Sequence, residues 1–346
     1  MKKGKLLFTS LVLACMTLLA ACGTGSGGGA AGGSNGGNAG GSSSGSATST
    51  TSATSSDPSQ LVIATGGTGG TYYPLGGAIA ELIKEATGIT TTAEVTGAAA
   101  ENMRLIKDGD AHIAFVQGDI ADYASKGTNM FQEDGKIENF QALGALYNET
   151  VQIVVSADSN INSVADLKGK RVSVGSPGSG TEVNAQQILE AYGLTFDDLQ
   201  LQRLSFADSA KAIQDGQLDA AFQTAGAPTA AITELAATTG VKIIPIDADK
   251  IASLIEKYPF YVETTIPGNT YQTVPDDVTT VSVRAILVVQ SDLSEDLVYK
   301  ATKALFENVD KLPAKKEEIK LEGALQGVSL PVHPGAQKYY DEKGVQ

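Results

Sequence analysis

Apolar and polar positions along this chain fall into blocks that switch between two periods. Leu61–Thr65 is a short apolar run that predicts a buried strand, and it leads into the glycine-rich stretch Gly66–Thr71. Beyond Pro74, Ile79, Leu82, Ile83 and Ala86 recur at i, i+3, i+4 and i+7, an amphipathic helix face that Gly88 stops. Thr90–Val95 predicts a second strand. Ala98–Lys107 predicts a helix with Ala99, Met103 and Ile106 on one face, ended by Asp108-Gly109. His112–Val116 predicts a third strand ending at Gln117-Gly118, and Asp119–Ser125 a short helix with Asp119 as its N-cap. This β-α-β-α-β-α alternation belongs to a parallel sheet covered by helices.

The pattern is then interrupted and restarts. Ala142–Tyr147 and Val151–Ser156 predict two strands on either side of Asn148-Glu149-Thr150, a crossing out of the first unit. Arg171–Gly175 predicts a strand, Ser176–Thr181 forms a second glycine loop, and a helix runs from Glu182 to about Tyr192. Leu199–Ser205, Asp208–Gln214 and Asp219–Gln223 read as strand, helix and strand; Pro228 opens a helix at its first position, and Val241–Ile246 closes the unit. Val281–Gln290 predicts a strand crossing back, Asp292–Leu312 a long helix, and Ser329–Gln346 a loop with a last short helix. Tyr258–Thr280 has little periodicity and receives no element.

The two units align. Gly70-Thr71 matches Gly180-Thr181 at an offset of 110, while Lys107-Asp108-Gly109 matches Gln214-Asp215-Gly216 at 107, as Ala114-Phe115 matches Ala221-Phe222. Gln117 therefore corresponds to Thr224. Open α/β sheets bind ligands at the carboxyl ends of their strands. Two such units facing each other predict a cleft lined by both loops.

The ends of the chain change the picture of where it works. Lys2, Lys3 and Lys5 precede an apolar run, Leu6–Leu19, as in a secretory signal covering residues 1–21. Leu19-Ala20-Ala21-Cys22 is similar to a bacterial lipobox, which makes Cys22 the expected lipidation site and anchors the chain to the cell membrane. Cys15 leaves with the signal, so no disulfide is expected. Residues 22–59 are nearly all Gly, Ser, Ala, Thr and Asn and predict a flexible tether with a reach of roughly 30–35 Å. The formal charge is −14, which argues against a nucleic-acid partner.

Candidate chemistry narrows further. The first loop departs from G-x-G-x-x-G at Tyr72, and the second lacks the Gly-Lys-Ser/Thr of a P-loop. Pro177 and Thr181 occupy the glycine positions of a Gly-x-Ser-x-Gly around Ser179. His112 and His333 read as packing or surface residues, and no metal-ligand spacing appears. No enzyme activity, cofactor or metal is expected. A tight strand–helix turn alone accounts for either loop, but its repetition on one cleft suggests shared use. Reversible binding fits: hydroxyls from Thr68, Thr71, Ser179 and Thr181; N–H groups of Gly67, Gly70 and Gly180 at helix starts near Pro74 and Glu182; and Gln117, Gln223 and Thr224 at strand ends. Asn102, near the start of the second helix, is expected to reach the same floor, and Glu182 is counted with the binding residues. Tyr72 and Tyr73 cannot both point the same way, and one, with Tyr72 the candidate, is expected in the cleft.

Ile63–Pro74, Thr96-Gly97 with Glu101-Asn102, Ala114–Gln117, Val174–Glu182, and Phe222 with Gly226-Ala227-Pro228 together resemble the TAXI family, the extracytoplasmic solute receptors of tripartite (TRAP) transporters. The resemblance runs across nearly all of Gln60–Leu312. It implies an α/β, two-lobe type II periplasmic-binding-protein-like fold with the ligand cleft between lobes, lobe I from 60–149 and 281–346 and lobe II from 150–280. It also implies a small carboxylate ligand of the glutamate or 2-oxoglutarate kind and a TRAP-type membrane permease as partner, with the receptor a monomer. A sensor subunit without transport is the alternative. The other large class of TRAP receptors grips its carboxylate with an arginine. Here Arg104, Arg171, Arg203 and Arg284 all lie outside the glycine loops, leaving hydroxyls and helix-start N–H groups for the carboxylate.

Overall fold

The computed structural model describes residues 57–346. The expected signal, Cys22 and most of the tether lie outside them. Asp57, at the start of the described chain, accepts hydrogen bonds from Ser294 N (3.0 Å) and Oγ (2.7 Å). No helix among the described residues is long and apolar enough to cross a membrane.

The chain runs β1 (Gln60–Ala64), α1 (Tyr72–Thr87), β2 (Thr90–Glu94), α2 (Ala99–Asp108), β3 (Ile113–Gln117), α3 (Gly118–Lys126) and β4 (Phe140–Ser156). It continues with β5 (Arg171–Ser173), α4 (Gly180–Ala191), β6 (Gln200–Gln202), α5 (Phe206–Gln214), β7 (Ala220–Ala225), α6 (Ala230–Thr238) and β8 (Val241–Ile244). The last elements are α7 (Ala248–Lys257), β9 (Val262–Ile266), β10 (Val278–Gln290), α8 (Glu295–Phe306) and α9 (Pro334–Lys343).

The repeat seen in the sequence is a repeat in space. β1 lies between β2 and β3, parallel to both, and β5 lies between β6 and β7 in the same way. The fold is the two-lobe α/β architecture of periplasmic binding proteins. Each lobe packs apolar side chains on both sheet faces: Leu61, Ile63 and Phe115 lie under α1 and α8 with Ala64, Ala114 and Val116 on the other face, while Val172, Val174 and Phe222 lie under α4 with Val154, Ala221 and Ile243 on the other. Gly76 lets α1 press onto β1, since a Cβ there would overlap the Thr65 side chain.

Two long antiparallel strands join the lobes, and here the structure departs from the pattern. The expected pair Ala142–Tyr147 and Val151–Ser156 is one continuous strand, β4. The polar triplet does not break it, because Asn148, Glu149 and Thr150 stand opposite Arg284, Val283 and Ser282 of β10 and keep the ladder intact. A register irregularity follows between Arg284 and Ile286, the kind of bulge that re-aims side chains beside functional sites. The expected helix over Asp292–Leu312 ends at Phe306, where Asn308 Nδ2 donates to Ala304 O (2.9 Å) and the chain turns. Asp119 is not an N-cap: α3 begins at Gly118, and the Asp119 carboxylate turns to Asn184 instead. Pro228 precedes α6 rather than opening it, and Thr229 takes the cap position while its hydroxyl donates to Gly226 O (3.1 Å). β9 forms within the aperiodic Tyr258–Thr280 stretch by pairing with β10, a tertiary contact that leaves no local period.

Candidate functional site

Both glycine loops leave the carboxyl ends of their central strands and meet at one cavity. Gly66, Gly67, Gly70 and Thr71 line it from lobe I, and Ser176, Ser179, Gly180 and Thr181 from lobe II. Gly70 N–H donates to Gly67 O (3.1 Å), which closes the first turn. In the second, Gly175 and Gly178 take left-handed backbone angles (φ +94° and +71°), and Ser179 caps α4 by accepting from Glu182 N (3.2 Å). The helix therefore begins at Gly180, two residues before the position expected. The first N–H groups of a helix lack intrahelical acceptors, so the starts of α1 and α4 both offer donors and positive dipole ends here.

The floor comes from the joining strand. Glu149 of β4 is 3 % exposed; its Oε2 accepts from the Tyr72 hydroxyl at 2.8 Å and its Oε1 from the Tyr147 hydroxyl at 3.5 Å. Burial pushes this carboxyl up to about 8, against the opposing hydrogen bonds of Tyr72, Gln117 and Tyr147. Tyr72 is 7 % exposed and lines the cavity, whereas Tyr73, next in α1, is 36 % exposed. Gln117 and Thr224 both line the cavity at the ends of β3 and β7, and Gln117 Oε1 and Thr224 Oγ1 are buried without a hydrogen-bond partner among the described residues. Among the described residues no lysine or arginine lines it. Arg104, Arg171 and Arg203 pair with Asp134, Asp219 and Glu182, and Arg284 bonds Asn148 and Gly323.

The lobes touch across the cleft. Thr71 Oγ1 accepts from Gly226 N (3.1 Å) and donates to Gly226 O (3.4 Å). Ala231 N donates to Gly69 O (3.1 Å), and Ala100 N to Gly178 O (3.3 Å). Gln117 Nε2 donates to Asn184 Oδ1 (3.3 Å), and Lys315 donates to Ala227 O. The free space is about 540 Å³ including its mouth. This is the closed arrangement of a cleft suited to a small molecule.

A sequence model of the NMT1-like family matches residues 63–344. The chain belongs to the NMT1-like family. Among solved structures, this NMT1-like chain is similar to a protein of Bordetella bronchiseptica RB50 at 19 % identity and TM-score 0.50, covering 83 % of this chain and 82 % of that one. It is also similar to PhnD1 of Prochlorococcus marinus (MIT 9301), solved with methylphosphonate, at 12 % identity and TM-score 0.50, covering 76 % and 89 %. A third is the alkanesulfonate-binding protein SsuA of Xanthomonas axonopodis pv. citri bound to MOPS, at 14 % identity and TM-score 0.46, covering 83 % and 84 %. The two likenesses at TM-score 0.50 show the fold.

Within the NMT1-like cleft, the expected residues divide. Gly67, Gly70, Thr71, Tyr72, Gln117, Ser179, Gly180, Thr181 and Thr224 line one cavity. Thr68 is exposed on the loop tip. Asn102 is structural: its Nδ2 donates to Thr65 O (2.7 Å) and Phe115 O (2.8 Å), tying α2 to two strands. Glu182 accepts from Gly178 N (2.7 Å) and Arg203 Nε (2.5 Å), and so braces the second loop from behind. Gln223 is buried outside the lining, and neither amide atom has a hydrogen-bond partner among the described residues. The pattern reading missed Glu149, Ala98 and Phe206, which also line the cavity. The signal for Glu149 is a carboxylate in the polar triplet Asn148-Glu149-Thr150 between two apolar runs, a pattern that predicts a crossing between strands. Two hydroxyls are already engaged by the protein: Thr71 on Gly226, and Thr181, whose Oγ1 accepts from Thr224 N (3.2 Å). Thr181 keeps its O–H free to donate.

Proposed function

We propose that this NMT1-like chain is a lipid-anchored extracytoplasmic receptor. It captures a small organic anion, a carboxylate of the glutamate or 2-oxoglutarate kind, between its lobes without transforming it. It then delivers the ligand to a TRAP-type permease, as the TAXI resemblance implies. Cys22 is the proposed anchor. The lobes are taken to part at Glu149/Thr150 and Thr280/Val281, within β4 and β10, where a hinge needs only two strands to flex. The site comprises the cavity-lining members of the two loops with Tyr72, Gln117 and Thr224.

One observation carries the reading. Two helix starts, one from each lobe, converge on a buried cavity in which Gln117 Oε1 and Thr224 Oγ1 lack partners. Helix-start N–H groups favour a negatively charged group, and unpartnered buried polar atoms favour a polar ligand over a dry packing defect. A thermal-shift screen against dicarboxylates, oxo acids and amino acids tests it. A ligand at 100 times its Kd stabilises by about 2.7 kcal/mol. A panel in which no carboxylate moves the melting temperature would overturn the reading.

A further inference from the structure

A second cavity lies beside the joining strands, between the start of α3 and the start of β9. Arg284 of β10 and Asn148 of β4, which stand opposite each other in the ladder, line it together with Asp119, Pro259, Phe260 and Val262. Its free space is about 800 Å³ including its mouth. None of these residues lines the cleft. One buried amide joins the two walls: Asn184 accepts from Gln117 Nε2 of the cleft and donates to Asp119 Oδ2 of the second cavity, at 3.3 Å each.

Arg284 differs from the other described arginines. Arg104, Arg171 and Arg203 each hold a carboxylate, at 2.8, 2.6 and 2.5 Å. Arg284 is half-buried and holds none among the described residues. Its Nη1 donates to Asn148 Oδ1 (3.1 Å) and its Nη2 to Gly323 O (3.3 Å), both neutral acceptors, while Nε is buried with no partner among the described residues. Each Nη carries two hydrogens, so one on each is left unspent. Burial lowers the Arg284 pKa, and the charge that opposes this is that of Glu318, which already pairs with Lys315 at 2.6 Å. A half-buried cation without its own counter-charge is costly, and an anion beside it removes that cost. The rim of the cavity is apolar. Pro259 and Val262 are exposed, and Phe260 is half-buried, edge-on to Tyr123. A hydrocarbon group would cover that surface. Asp119, itself buried, brings a negative charge to the same cavity, which disfavours a dianion.

We propose that this cavity is a second ligand site, separate from the cleft, for a small monocarboxylate with an apolar body: the carboxylate sits on the Arg284 guanidinium and the hydrocarbon part lies against Phe260 and Val262. The planar guanidinium matches a carboxylate in shape and charge. A neutral analogue leaves the guanidinium without a counter-charge, and a cationic one is repelled by it. The site does not depend on what the cleft binds.

Phe260→Trp in the full chain tests this, because the chain has no tryptophan of its own and the emission then reports on this rim. The titrants are benzoate, phenylacetate, isovalerate and hexanoate, with benzyl alcohol, benzylamine and phthalate as neutral, cationic and dianionic comparisons. Calorimetry on the wild-type chain repeats each titration. At least one of the four monocarboxylates should bind with a Kd of about 1 mM or tighter and shift the emission. It should bind at least about tenfold more tightly than each comparison compound. Arg284→Gln should weaken it at least about tenfold, while Thr181→Val, in the cleft, should leave it within about threefold. No binding by any of the four, or equal binding of benzyl alcohol, overturns the inference. So does a binder that ignores Arg284→Gln or is weakened beyond threefold by Thr181→Val; the latter places the compound in the cleft and leaves the receptor reading standing. If Arg284→Gln fails to fold, the emission shift and the comparison with benzyl alcohol still decide.

Discussion

Replacing Thr71 by valine keeps the β-branched shape and removes the hydroxyl that clasps the opposite lobe. In the closed arrangement Gly226 N then loses its acceptor at 3.1 Å and Gly226 O a donor at 3.4 Å. An unsatisfied buried backbone group costs about 1–3 kcal/mol, but only while it is buried. With the lobes apart, water satisfies both groups. The penalty therefore falls on closure and not on folding. The bonds Ala231 N–Gly69 O and Ala100 N–Gly178 O remain, so the loss is partial. Taking about 1–2 kcal/mol, the dissociation constant of a ligand that binds by closure should rise roughly 5- to 30-fold. Calorimetry with whichever ligand the thermal-shift screen identifies measures this. Melting curves of the ligand-free variant should stay within about 2 °C of wild type. An affinity within twofold of wild type would refute the clasp. Equal destabilisation with and without ligand would assign the hydroxyl to the fold.

Three further outcomes follow from particular contacts. Gly180→Ala adds a Cβ that overlaps the Gln117 amide held across the cleft, so ligand affinity should fall at least about tenfold with little change in ligand-free melting; retained affinity means that the Gln117 amide simply moves aside. Ala98 lines the cavity with φ 71° and ψ −158°, a region that suits glycine alone, so Ala98→Gly should raise the melting temperature. The relieved strain is about 1–3 kcal/mol and the entropy cost of glycine about 0.5–1 kcal/mol, which corresponds to a rise of a few degrees; a drop would count against strain there. Glu149 protonates near 8 in the fold and near its ordinary 4.5 when unfolded, so the folded state holds the extra proton between those values and stability declines as pH rises through that window. Asp119, raised to about 6 by burial, acts with the same sign at lower pH. Melting curves from pH 5 to 9 should show Glu149→Gln flattening the part above about pH 6, and parallel profiles for variant and wild type would exclude Glu149 as the source.

The order of elements and the repeat were legible because they are local. Burial on one face writes a period of two or 3.6 into the chain, and glycine marks each sharp strand–helix turn. From those signals come two β-α-β units, a loop at the end of each central strand, and the matched positions Gln117 and Thr224 that line one cavity. The absence of arginine from both loops was also written in the sequence. What each polar side chain does was not. Thr71 reaches Gly226 across 155 residues, and Tyr72 reaches Glu149 across 77. Such contacts leave no trace in any window of periodicity. Asn148-Glu149-Thr150 looked like a break because polar residues in an apolar run are costly unless paired. The fold pairs them across β10, sinks Glu149 into the floor and carries the strand through. Asn102 and Gln117 are both amides near the cleft, yet one ties strands together and the other faces the cavity. The sequence determined where ligand chemistry could gather. The packing of one lobe against the other decided which groups are left free to do it, because a hydrogen bond already made inside the protein is not available to a ligand.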